Sequence, residues 1–121
     1  MRKEQNTMNV RFDNLGNQTM TFAKSGSLSA GQVCKMKSND TVCACSDGDM
    51  FMGVAESVNG DVCGVTVHGM VCLSYSGTTA PSLGWTSLLA DGSGGVKTGD
   101  NGRSCLVVNV DSTNHMVTML V

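Results

Sequence analysis

Residues 50–75, MFMGVAESVNGDVCGVTVHGMVCLSY, decide the fold. The stretch starts with an apolar run from Met50 to Ala55 and turns at Asn59-Gly60. It then alternates, breaks at His68-Gly69 and ends in a second apolar segment through Tyr75. Between Asp61 and His68 the odd positions Cys63, Val65 and Val67 are apolar, and the even positions Thr66 and His68 are polar. A period of two marks a half-buried β-strand. Asn-Gly reaches positive φ at low cost, so Asn59-Gly60 predicts a tight hairpin turn. Gly69 then bends or reverses the chain again. The expectation is a meander of two hairpins at the heart of a small all-β module.

The rest of the chain extends the pattern. It has 121 residues, a length that suits one domain and buries roughly two thirds of its unfolded surface. Hydrophobic residues make up 40% and aromatic ones 4%, so the core must come from Val, Leu, Met, Ala and Cys. Short apolar segments at residues 20–23, 31–36, 41–45, 84–90, 96–98, 103–110 and 115–121 are separated by Gly, Asn, Asp and Ser. Turn signals recur about every eight to twelve residues, as in a barrel or sandwich. Only residues 82–90 leave room for a short helical turn. The expected architecture is all-β, a small β-barrel or compact sandwich over residues 19–121. An extended polar N-terminal arm, residues 1–18, precedes it. In that arm Val10, Phe12 and Leu15 are isolated apolar residues, and Val10 and Phe12 stand at strand spacing around Arg11.

Charge and cysteine content narrow the function classes. Net charge is −2, which argues against a nucleic-acid partner. Residues 1–24 carry four basic side chains against two acidic ones, and the remainder four against eight. A mildly basic leader thus precedes an acidic body. No apolar run approaches the ~18 residues that span a membrane. The leader lacks the apolar stretch of a secretory signal, so synthesis in a reducing cytoplasm is expected. Cys63, Cys72 and Cys105 are flanked by Val or Leu. The six cysteines are therefore expected to be reduced and mostly buried, as small hydrophobes.

No residue pattern calls for catalysis, a metal or a cofactor. Cys43-x-Cys45 is not the C-x2-C spacing that wraps zinc, and no second pair matches it. His68 and His115 read as strand-end residues without a nucleophile elbow elsewhere. Residues 91–95, DGSGG, lack the Gly-Lys-Ser/Thr ending of a phosphate loop. Asp47, Asp49, Asp91 and Asp100 stand in Gly-containing turns, which explains them without calcium. Lys35-Met36-Lys37 faintly resembles the lysine turn of biotinyl and lipoyl carrier barrels, but Lys35 falls inside a predicted strand. That leaves a carrier or small-ligand barrel serving an enzyme as an alternative. A carbohydrate-binding head fibre module is another, with Trp85 and Tyr75 as its candidate sugar-stacking rings.

The order of segments carries a family resemblance. Gly31-x-Val33 opens a strand and Gly53-Val54-Ala55 ends another. Val65-x-Val67-x-Gly69 and Val71-x-Leu73 follow, then Pro81, Gly84, Asp91 and Gly94-Gly95-Val96, and a terminal V-x-M-x-V strand. Over residues 20–121 this resembles the capsid cement, or head decoration, proteins of tailed bacteriophages. The resemblance implies a structural protein without catalytic residues, made in the host cytoplasm and attached to the outer surface of an icosahedral head. It also implies the major capsid protein and further copies of itself as partners, most often as a homotrimer. The six cysteines and the polar leader depart from the family pattern. Val10, Arg11, Phe12 and Leu15 are the expected partner-binding residues, by strand addition to a neighbour's sheet edge.

Overall fold

The computed structural model describes residues 17–121, and among them there is no helix. Ten strands run in order: β1 Gln18–Lys24, β2 Val33–Ser38, β3 Thr41–Ala44, β4 Gly53–Asn59, β5 Val62–His68, β6 Met70–Ser74, β7 Gly84–Ala90, β8 Val96–Thr98, β9 Arg103–Asp111 and β10 Met116–Leu120. Each coincides with one of the apolar or alternating segments in the sequence. The region with room for a helical turn is strand β7.

The first five strands close a barrel in the order β1-β3-β2-β4-β5. β4 and β5 form the expected hairpin, closed by Asn59 opposite Val62, with Gly60 at φ 64° in the two-residue loop. The barrel closes because β1 pairs antiparallel with β5 on one side and parallel with β3 on the other. Gly53 permits the tight crossing of β4 over β5. A Cβ there would lie 2.6 Å from the Thr66 carbonyl oxygen and 2.7 Å from Val65 Cγ1.

The second expected hairpin does not form. At Gly69 the chain leaves the barrel, and β6 pairs with β10 instead of β5. The second sheet has the order β6-β10-β9-β7-β8. Gly69 adopts φ 148° and packs directly on Asn17, so the backbone swings from one sheet to the other where a side chain would collide.

Two apolar clusters follow from strand alternation. Cys34, Val42, Ala55, Cys63 and Val65, with Leu28, fill the barrel interior. Val33 and Val54 are the next residues along their strands, so they point out of the barrel. They join Phe51 and the inner face of the second sheet, Leu73, Leu88, Val96, Val107, Val117 and Met119 among others. The barrel wall at β2 and β4 is thus buried on both faces within one chain. Gly53-Val54-Ala55 opens β4 where the sequence reading ends a strand, and the chain's own second sheet covers the outward face of Val54.

Four further details correct the sequence reading. Met50 precedes β4 and is 57% exposed. Thr66 is buried, and its hydroxyl donates to Glu56 Oε1 at 2.8 Å, which satisfies it in the barrel wall. His115 stands at φ 54° in the turn before β10 and does not open the strand. Cys72 is exposed, whereas Cys34, Cys63 and Cys105 are buried, Cys43 and Cys45 are half-buried, and all six are free thiols.

Candidate interaction surface

The residues singled out for chemistry disperse over the fold. Lys35 lies in the middle of β2, not at a hairpin tip, and its ammonium meets Asp49 Oδ2 at 2.6 Å. That hydrogen bond, followed by the Ser46 N–H at 2.8 Å, holds the Asp49 carboxyl below its usual value. The same bond raises Lys35. Cys43 and Cys45 flank Ala44, which pairs with Cys34, so Cys34 faces the barrel interior and the other two face away. Burial first, then neighbouring thiols, pushes Cys34 up to about 12; burial likewise raises Cys45 and Cys105 to about 11. Thiols held protonated this firmly are poor nucleophiles and poor metal ligands. Among the described residues no group of three or more His, Cys, Asp or Glu could hold a metal ion.

The Asp91 loop is a turn. Its Oδ1 accepts from the N–H groups of Ser93 at 2.7 Å and Gly95 at 3.0 Å, and its Oδ2 accepts from Ser76 Oγ at 2.6 Å. Beside it lies an open cleft of about 250 Å³ lined by Asp47, Asp91, Lys97 and the hydroxyls of Ser76, Thr78 and Thr79. No aromatic ring lines it, and Lys97 is already paired with Asp47 at 2.7 Å. Tyr75 is not available for stacking on a sugar. It is buried in the core, with its ring 5.0 Å from that of His115. His68 is exposed at the end of β5. Val10, Arg11, Phe12 and Leu15 lie outside the described residues.

The feature that stands out is the outer face of the second sheet. Cross-strand register places Met70 opposite Leu120, Leu120 opposite Leu106, and Leu106 opposite Trp85. Directly paired residues share a face with Cβ atoms about 5 Å apart. One apolar row therefore crosses four strands on the side away from the core. Its outer end is the most open: Trp85, the chain's one tryptophan, is 67% exposed and the neighbouring Leu83 is 68% exposed. Val108 stands at the irregularity between β9 and β10 and is also exposed. Met116 and Thr118 flank the row, and no charged side chain interrupts it. Sequence reading missed this face because its members are single residues on four distant strands. The local signal was β10 itself, MVTML, apolar at both parities.

Arg103 is the other residue that sequence reading missed. It starts β9 and reaches back to the barrel, donating from Nη1 to the Met52 carbonyl and from Nη2 to the Val67 carbonyl, both at 3.1 Å. Its guanidinium carbon lies 6.0 Å from the Phe51 ring centroid. It ties the two sheets together.

No protein-family model and no curated protein matches the chain.

Proposed function

We propose that this chain is a capsid decoration protein: a non-enzymatic structural module that binds the outer surface of an assembled phage head and reinforces it, acting as a homotrimer. The observation that carries the reading is the uncharged row Met70–Leu120–Leu106–Trp85 with Leu83 beside it. An exposed tryptophan and leucine at the end of a half-buried, uncharged row of Met70, Leu120 and Leu106 have the composition of an interface core, and buried aromatic anchors dominate such interfaces. The resemblance of residues 20–121 to head decoration proteins supplies the partner, the major capsid protein, and the place, the virion surface. A protein that binds only the assembled lattice stabilises that lattice by mass action. Rigidity suits that task, and the closed barrel with its covering sheet provides it.

The test is co-sedimentation with assembled shells of the phage that encodes the chain, comparing wild type with Trp85→Ala and Leu83→Ser. Both positions are exposed, so both variants should keep the wild-type circular dichroism spectrum. Loss of a buried aromatic anchor costs about 2 kcal/mol or more, so Trp85→Ala should weaken binding about 30-fold. A wild-type chain that stays in the supernatant overturns the reading. Unchanged binding by both variants overturns the assignment of this face.

A further inference from the structure

Among the described residues the barrel has no free strand edge, because its five strands close on themselves. The second sheet has two edges, β8 and β6. The β8 edge is guarded. It is three residues long, it carries Lys97, and its first residue, Val96, bridges to Tyr75. The β6 edge, Met-Val-Cys-Leu-Ser, has no charge and no proline, and it keeps an unbroken register with β10. An uncharged regular edge is a template for another strand, and proteins cover such edges or disrupt them.

Hydrogen-bond parity shows which groups are on offer. Gly69 and Val121 exchange both main-chain hydrogen bonds, at 2.9 and 3.4 Å, and the Tyr75 N–H bonds to the His115 carbonyl at 3.0 Å. Bonded and non-bonded pairs alternate along an antiparallel ladder. Met70, Cys72 and Ser74 therefore turn their N–H and C=O groups toward the free edge. At one end Asn17 Oδ1 accepts the Met70 N–H at 3.1 Å. At the other, Gly95 packs against the Ser74 carbonyl. The window between these two stops, from the Met70 carbonyl to the Ser74 N–H, accommodates three or four residues of added strand.

Asn17, the first described residue, sits at the end of this window, and residues 1–16 precede it in the sequence. The copy's own β1 ladder ends there. The Asn17 main chain lies across Gly69, with its Cα 3.0 Å from where a Gly69 Cβ would be, and its side chain, not its main chain, meets the edge. A segment of 16 residues reaches about 50 Å when extended, far enough for an adjacent copy. Its strand-like stretch, Val10-Arg11-Phe12, matches the window in length. Either placement of Val10 and Phe12 finds an apolar neighbour on β6, Val71 on one face or Met70 on the other.

We propose that the β6 edge of each copy takes up residues 10–12 of a second copy of this chain as an added strand. This rests on the homo-oligomer in the reading above and names the contact that builds it. Main-chain hydrogen bonds supply affinity, and the alternating side chains set register.

Cys72, exposed on β6, is the reporter for the test. Arg11→Cys and Phe12→Cys sample both faces of the added strand in the full-length chain, and each is oxidised mildly. One of the two should give species of two and three times the chain mass on a non-reducing gel. Those species should vanish on reduction and in the Cys72→Ser background. The full-length double variant Val10→Asp/Phe12→Asp should be folded by circular dichroism and monomeric by light scattering. A Cys72 bond formed only within one chain, no bond in either variant, or a double variant that self-associates like wild type overturns the proposal. A double variant that still assembles and still binds shells removes this contact and leaves the decoration reading standing. Cross-linked oligomers that ignore shells do the reverse.

Discussion

At the scale of single residues, Arg103 and Asp49 do the most distinctive work. Arg103 donates to both the Met52 and the Val67 carbonyls across the seam between the two sheets. Truncating it to Ala leaves two polar groups short of partners, each costing about 1–3 kcal/mol. Arg103→Ala should therefore lower unfolding free energy by about 2–5 kcal/mol. Arg103→Lys should recover only part of this, because an ammonium lacks the planar fork that bridges both carbonyls. Urea denaturation checks it, and a near-neutral Arg103→Ala would show that the guanidinium is not a tie. Asp49 makes the stability pH-dependent. Its folded-state value is depressed by Lys35 and then by Ser46, so its contribution is complete above the ordinary 3.8 and is lost as pH falls through the lower folded value. Lys35 is raised by the same contact, so its contribution is complete below 10.5 and is lost only at still higher pH. The gap in stability between wild type and Asp49→Asn should thus be widest between these limits and shrink on acidification. A gap that stayed constant down to strongly acid pH would contradict the contact.

At the scale of elements, the strands were legible because each is a short apolar run between turn residues, and local signals suffice for that. Pairing was not legible. Nothing near His68-Gly69 distinguishes a hairpin reversal from a crossing into another sheet. The difference lies in Val121 and Asn17, which claim the two sides of the chain there. Burial failed for the same reason at Cys72. Its neighbours Val71 and Leu73 are apolar, which suggested a core position. Yet alternation puts Cys72 on the outer face with Met70, and only the existence of a second sheet defines which face is outer. The candidate surface was likewise invisible, since its row exists only once four strands are registered. These placements predict a reactivity order. Cys72 should react first with a thiol reagent at neutral pH and Cys43 more slowly. Cys34 and Cys105, raised by burial and shielded from reagent, should react only when the chain opens. Mass mapping after timed labelling reads the order directly. Early labelling of Cys34 or Cys105 would mean that the interiors are not closed.

At the scale of the whole molecule, the question is whether the barrel and the covering sheet are one folding unit or two. The barrel interior is small, six buried residues with two cysteines and an alanine among them. The larger cluster depends on both halves, because Val33 and Val54 from the barrel wall pack with the sheet's Leu88, Val107 and Val117. Removing the sheet would expose those two valines, Phe51 and the carbonyls that Arg103 satisfies. Main-chain bonds reinforce the seam: the Gly48 N–H to the Ala90 carbonyl at 2.9 Å, the Ala90 N–H to the Asp49 carbonyl at 2.9 Å, and the Val33 N–H to the Gly94 carbonyl at 3.0 Å. A barrel with so little interior and one wall stripped has little apolar burial to set against chain entropy of about 1–2 kcal/mol per residue. The two sheets should therefore melt together. Calorimetry on the full-length chain should show a single transition whose calorimetric and van't Hoff enthalpies agree. Leu88→Ala, in the shared cluster, should lower that one midpoint by destabilising the whole by about 2–5 kcal/mol. If Leu88→Ala instead split the transition in two, with the barrel melting at its original temperature, the halves would be independent and the seam would not join their stability.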